Sequence, residues 1–261
     1  MPSRSGKDQI SPFSLNELCP CGSSMSHRWC CFAELAVKAA GQAYDVRQRF
    51  ESAVMTLVVN DSLEHTPFEQ CEAAWQDFTF GSGRKLEHKD LTVDSHFREF
   101  LAWFLFRRLA RGINPALACV QRAQGEMPVY EMIINAVIEQ PYSFWLAGEF
   151  EPGRCMPVKD LLLDREFVLT EPLISALSEP GDVFYGRVVK INNIDGFFVQ
   201  ELKSLPLTVV PTIVAFKRVH QPKSVEDLHQ LDDLTRGLWG RLWDEYDDEE
   251  DMANELNPLR H

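Results

Sequence analysis

The chain has no long apolar run: the longest, residues 100–106, is seven residues, far short of the roughly 20 a membrane-spanning helix needs. No membrane association is therefore expected. Residues 1–14 are polar and hold no apolar stretch of the kind a secretory leader carries, so the cytoplasm is the expected compartment. Positive charge is also scarce. With 26 Lys and Arg against 39 Asp and Glu, the net charge of −13 argues against broad electrostatic attachment to phosphate backbones or anionic membranes. Eight of the acids lie between Asp244 and Glu255 with no base among them, which predicts a solvated, self-repelling acidic tail. Common catalytic signatures are missing as well: no His-Glu-x-x-His, no Gly-x-Ser-x-Gly, no Walker A and no Gly-x-Gly-x-x-Gly after a strand. A non-enzymatic protein is the expectation. Hydrophobic content of 45% and a length of 261 residues are enough to bury a substantial core.

Cysteine is what stands out. Four of the seven fall within thirteen residues, as Cys19, Cys21, Cys30 and Cys31, while Cys71, Cys119 and Cys155 are scattered singly among apolar neighbours. Disulfides are rare in a reducing compartment, so a tight cluster there points to metal ligation. Four thiolates match the closed tetrahedral shell that Zn²⁺ takes in structural sites, with no position left for water or substrate. Pro20 stiffens a Cys-x-Cys hairpin, Gly22 frees the backbone to turn, and Cys30 and Cys31 fall at the expected start of the next helix. A helix N-terminus favours thiolate, and Arg28 would offset part of the −2 charge of such a site. So short a segment has little core of its own, so binding metal and folding would be one event. Four free thiols, a redox pair or disulfide, or His27 in place of one thiolate are the other readings of the same residues.

The pattern Cys-Pro-Cys-Gly-Ser, eight residues between the second and third Cys, then Cys-Cys, resembles the SEC-C zinc-binding motif. That motif closes the bacterial preprotein translocase ATPase and occurs in many smaller bacterial proteins. The resemblance implies that Cys19, Cys21, Cys30 and Cys31 are the four metal ligands, with zinc the usual metal and iron the alternative. It also implies an adaptor role near protein export, translation or quality control, through a protein partner. Between the ligand pairs this chain carries Ser24, Met25, Ser26 and His27 and keeps only Arg28 of the family's usual basic residues. More loosely, residues 97–219 resemble the body of uncharacterised bacterial proteins with such a motif at one end, notably in 100–112, Glu151-Pro152-Gly153 with Asp160, and Gly181-Asp182.

The rest of the pattern predicts an α+β protein in five parts: an N-terminal zinc knuckle (1–32), a helical layer (33–140), a small antiparallel β module, barrel-like or a curled sheet (141–220), a closing helix (221–243) and an acidic tail (244–261). Helical spacing runs over 32–59 with a break near Gly41 and a stop at Asn60-Asp61, and over 62–77. Residues 78–92 are expected to form a polar loop, whose Gly81-Ser82-Gly83-Arg84-Lys85 lacks the spacing of a phosphate-binding P-loop. A core helix capped by Asp94 or Ser95 is expected to reach Gly112, followed by short helices at 115–124 and 129–140. Strands are expected at 144–150, 155–163, 166–170, 183–191, 197–202 and 209–219, with 182–202 the clearest hairpin and Asn192 to Gly196 its turn. Residues 223–246 return to helical periodicity.

Two other functions fit the same chain. Arg98, Arg107, Arg108 and Arg111 on the core helix, or the β module, could face nucleic acid, with the acidic tail as an internal competitor. Glu201 and Lys203, with Asp182 or Asp195 on the same hairpin, could hold Mg²⁺ and steady a water for phosphodiester cleavage.

Overall fold

The computed structural model describes residues 17–23, 25–79, 97–109, 112–198 and 204–256; at 28, 29, 33, 98 and 247–256 the backbone alone is described. Helix α1 (Ala33–His65) is two segments joined at Gly41, whose φ of 78° and ψ of −173° leave the helical region, so the break lies where the glycine placed it. It does not end at Asn60-Asp61. It runs on to His65, where Thr66 turns extended before Pro67, as a residue preceding proline must. Helix α2 (Phe68–Phe78) follows.

Helix α3 (Phe97–Phe106) stops short of Gly112. The N–H groups of Arg107 and Arg108 both bond to Trp103 O, and both arginine side chains leave the helix for acidic partners. The proposed caps Asp94 and Ser95, the loop 81–85 and Arg111 lie outside the described residues. Helices α4 (Pro115–Ala123) and α5 (Pro128–Glu139) both begin with proline, and Asn114 caps the first by accepting from Leu117 N–H.

A four-stranded antiparallel sheet in the order β3-β2-β1-β4 is built from β1 (Ser143–Ala147), β2 (Met156–Asp160), β3 (Glu166–Leu169) and β4 (Val183–Gly186). Strands β5 (Val188–Ile191) and β6 (Ile194–Phe197) form a separate hairpin, so the described strands close no barrel. The expected single strand 183–191 breaks at Arg187. Its fully buried guanidinium donates to Ala102 O, Val137 O and the Tyr142 hydroxyl, and lies 4.4 Å over the Tyr142 ring. This pins the sheet to the middle of α3 and the last turn of α5. The hairpin turn is only Asn192-Asn193, both at positive φ, and Asp195 and Gly196 lie in β6. Asp182 belongs to the turn entering β4, which pairs with β1, so 182–202 is not one hairpin.

The sheet separates two cores. Phe144 and Tyr185 face the helices, joining Phe104, Ile134 and Trp239, while Trp145, Phe184 and Met156 face Phe197, Val188 and Ile174. Ile174 comes from α6 (Pro172–Leu177), a helix the pattern did not mark. Residues 209–219, expected as a strand, form α7 (Val210–His220): β-branched residues suggested extension, but Pro211 near the start and Lys217, Arg218 and His220 in the last turn are helix-end signals. A Ser224–Asp227 capping box opens α8 (Val225–Gln230). Helix α9 (Asp232–Leu256) packs Leu238, Trp239, Leu242 and Trp243 inward and continues through the acidic segment expected as a tail. A helix once nucleated by packing adds residues at little cost.

Candidate metal centre

A short hairpin carries the first two cysteines. Cys19 N–H donates to Met25 O and His27 N–H to Glu17 O, with Leu18 and Ser26 bridged between them. At its tip, Gly22 N–H returns to Cys19 O across Pro20-Cys21, and Gly22 takes a φ of 86° that other residues resist. The second pair is not on a regular helix. Residues Arg28–Phe32 form a π-turn just before α1, in which the N–H groups of Cys30 and Phe32 both reach His27 O. Cys30 departs to φ −123° and ψ −117°. On an α-helix adjacent side chains point about 100° apart, so this departure is what lets the neighbouring sulfurs of Cys30 and Cys31 approach to 4.0 Å.

The four sulfurs all lie within 4.8 Å of one another, and those of Cys21 and Cys30 within 3.4 Å. A tetrahedron of thiolates at about 2.3 Å from Zn²⁺ has edges of about 3.8 Å, so the set fits one ion after small adjustments. Among the described residues no other group of three or more His, Cys, Asp or Glu converges in this way. Cys19 is buried, Cys30 and Cys31 are half-buried and Cys21 is exposed. The Ser23 hydroxyl lies 3.2 Å from the Cys30 sulfur and 3.4 Å from that of Cys21. The His27 ring reaches Cys19 at 3.6 Å and is not one of the converging four.

Charge is distributed unevenly over the thiols. The Cys19 thiol is lowered to about 5, first by the Cys21 backbone N–H and then by His27, whereas Cys31 is pushed up to about 12 by the other three sulfurs. The favoured thiolate therefore sits in the hairpin, not at the helix start where the sequence placed it. Four like groups so close cannot all ionise without a cation between them, which is the chemistry of a metal site.

The module is seated on the body by a glycine. Gly153, at φ 77°, lies where a Cβ would come 2.8 Å from Ala36 Cβ, with Phe32 next to it. The Glu151-Pro152-Gly153 segment thus docks on the first turn of α1, directly after the cysteines. No protein-family model, no curated protein and no solved structure matches this chain. The geometry alone carries the site.

The other candidates are placed as follows. Glu201 and Lys203 lie outside the described residues; Asp195 pairs with Lys190 across the hairpin at 3.5 Å, and Asp182 accepts from Glu179 N–H in a turn of the other sheet. Arg107 and Arg108 do not form an open basic face. They line a cleft of about 760 Å³ between α2, α3 and α9, where Arg107 pairs with Asp232 at 3.2 Å and Arg108 with Asp77. Trp103 also donates to Asp232, and Arg236 stacks 4.6 Å over the Trp103 ring. The cleft is internally neutralised.

The sequence reading missed a buried charge cluster: Arg47, wholly buried, pairs with Glu171 at 3.2 Å and Glu51 at 3.3 Å and donates to Phe197 O. Gly196 makes room for it, since a Cβ there would collide with the Glu171 carboxylate and the Arg47 guanidinium. A glycine inside a strand is the signal of such a close approach.

Proposed function

We propose that residues 17–32 form a closed four-thiolate zinc centre of the structural kind, and that the protein is a non-enzymatic interaction module displaying this knuckle on an α+β body. The observation that carries the reading is the convergence of four sulfurs within 4.8 Å, a donor set with no position left for a substrate. Iron in the same thiolate set is the alternative metal. Three large apolar side chains stand exposed on or beside the knuckle: Leu18 at 72%, Met25 at 49% and Leu35 at 57%. Apolar area left in water beside a rigid, metal-fixed turn is what a protein partner would cover. The resemblance to the SEC-C motif directs the search for that partner toward protein export, translation and quality control. Nucleic acid is the less favoured partner, because Arg107 and Arg108 are already committed to Asp232 and Asp77.

The test is a tagged pull-down from the host comparing wild type, Cys30→Ser/Cys31→Ser and Leu18→Glu/Met25→Glu, with metal content measured on each. The cysteine variant should lose metal and partner together. The surface variant should keep the metal and lose the partner. A partner retained by both variants contradicts docking at the knuckle.

A further inference from the structure

Cys19 differs from the other three cysteines in its access to water. It is 4% exposed, so solvent cannot satisfy its sulfur, whereas Cys21 is exposed and Cys30 and Cys31 are half-buried. Besides the sulfurs of the other three cysteines, the groups that reach it are the backbone N–H groups of Cys21 and Cys31 and the side chain of His27, whose Nδ1 lies 3.6 Å from the Cys19 sulfur. His27 is itself 3% exposed and its ring packs on Phe32 with centroids 5.9 Å apart. Its main chain is held on both sides. The N–H closes the cysteine hairpin on Glu17 O, and the carbonyl accepts from Cys30 and Phe32 in the π-turn. One residue thus spans the two halves of the site, with its ring fixed against the one buried sulfur.

We infer that His27 is a positioning residue of the metal centre, with its ring Nδ1–H donating a hydrogen bond to the Cys19 thiolate. This deepens the zinc reading and rests on it. A metal-bound thiolate carries no proton and can only accept, so a bond between these atoms requires the ring proton on Nδ1. Four thiolates around a divalent ion leave a charge of −2, and a donor at a buried sulfur draws electron density from it in the place water cannot reach. The bond makes Cys19 a weaker electron donor to the metal and a poorer nucleophile, and it fixes the sulfur's direction. His27 therefore acts through Cys19 and is not a ligand itself.

The probe is Co²⁺, whose thiolate charge-transfer bands report on sulfur directly. Wild type is compared with His27→Phe, which keeps a ring against Phe32, and His27→Gln, which keeps an N–H donor. The Phe variant should shift the charge-transfer band to longer wavelength and weaken apparent affinity by roughly 10- to 100-fold, the usual effect of losing an outer hydrogen bond to a metal ligand. The Gln variant should recover both toward wild type. Identical bands and affinities in wild type and His27→Phe overturn the inference. Absence of any thiolate band in wild type overturns the four-thiolate reading itself, a separate failure visible before any variant is made. Independently of folding in the variants, long-range proton–nitrogen correlations of zinc-loaded wild type should show the His27 proton on Nδ1. A bare Nδ1 overturns the inference.

Discussion

Gly153 meets Ala36 at a distance no side chain would permit: a Cβ on Gly153 would stand 2.8 Å from Ala36 Cβ. The contact joins the segment after β1 to the first turn of α1, and that turn follows Cys31 directly. The position of the cysteine knuckle on the body therefore depends on a glycine 122 residues beyond Cys31 in sequence.

Replacing Gly153 with alanine should cost about 2–4 kcal/mol, combining a left-handed conformation at about 1–2 kcal/mol with a clash against a helix that cannot yield. Gly125→Ala is the control, because Gly125 shares a positive φ of 81° but has nothing within 4 Å of its would-be Cβ. Urea denaturation should show the first variant clearly less stable than the second. Equal stabilities would mean the knuckle is not seated there.

The Arg47–Glu171 cluster predicts a pH dependence. Burial raises the Glu171 carboxyl from its ordinary 4.5 to about 8, against the opposing pull of Arg47. A carboxyl raised in the folded state keeps its proton there while the unfolded chain releases it. Its contribution is thus fully present below about 4.5 and declines as pH rises to about 8, by about 1.4 kcal/mol per pH unit at most. Wild type minus Glu171→Gln, followed by denaturant midpoints from pH 5 to 9, should show that decline; parallel curves would contradict it.

Gly196→Ala should be among the most damaging single substitutions, at more than about 3 kcal/mol, because its Cβ must displace the buried Arg47 guanidinium and Glu171 carboxyl group together. Thermal unfolding of the variant measures this. A small loss would mean that Arg47 and Glu171 have room to move.

Asp160 is wholly buried and accepts from Ser143 Oγ, the N–H groups of Leu162 and Leu163, and both Nε and Nη2 of Arg165. Asp160→Asn should cost about 3–5 kcal/mol, since it leaves Arg165 without its anion and turns a donor toward other donors. The same urea titration checks it. The cysteine knuckle, far along the chain, should still bind metal.

Much of this was legible in residues whose constraint is local. The cysteine spacing, the Gly41 break, Pro115 and Pro128 opening their helices and the Asn192-Asn193 turn all act through their own backbones. What was not legible depended on distant partners. Nothing near residues 183–191 says that Arg187 will turn into the helical layer and split the strand. Val209 to Val219 carries the composition of a strand, and its helix is decided by end signals and by Ile213 packing in the core. Cys30 and Cys31 looked like helix-start residues because helical spacing begins at residue 32; only the hydrogen bonds to His27 O show the π-turn. Arg107 and Arg108 looked like an open basic face because their acids, Asp232 and Asp77, come from other helices.

The measurement that tests the central claim most directly is X-ray absorption at the metal edge of the protein purified with its native metal, together with metal stoichiometry. The account predicts one metal per chain with four sulfur neighbours, at about 2.3 Å if the metal is zinc, and no nitrogen or oxygen in the shell. A substoichiometric metal, or a shell containing light donors, would contradict a closed site made by Cys19, Cys21, Cys30 and Cys31.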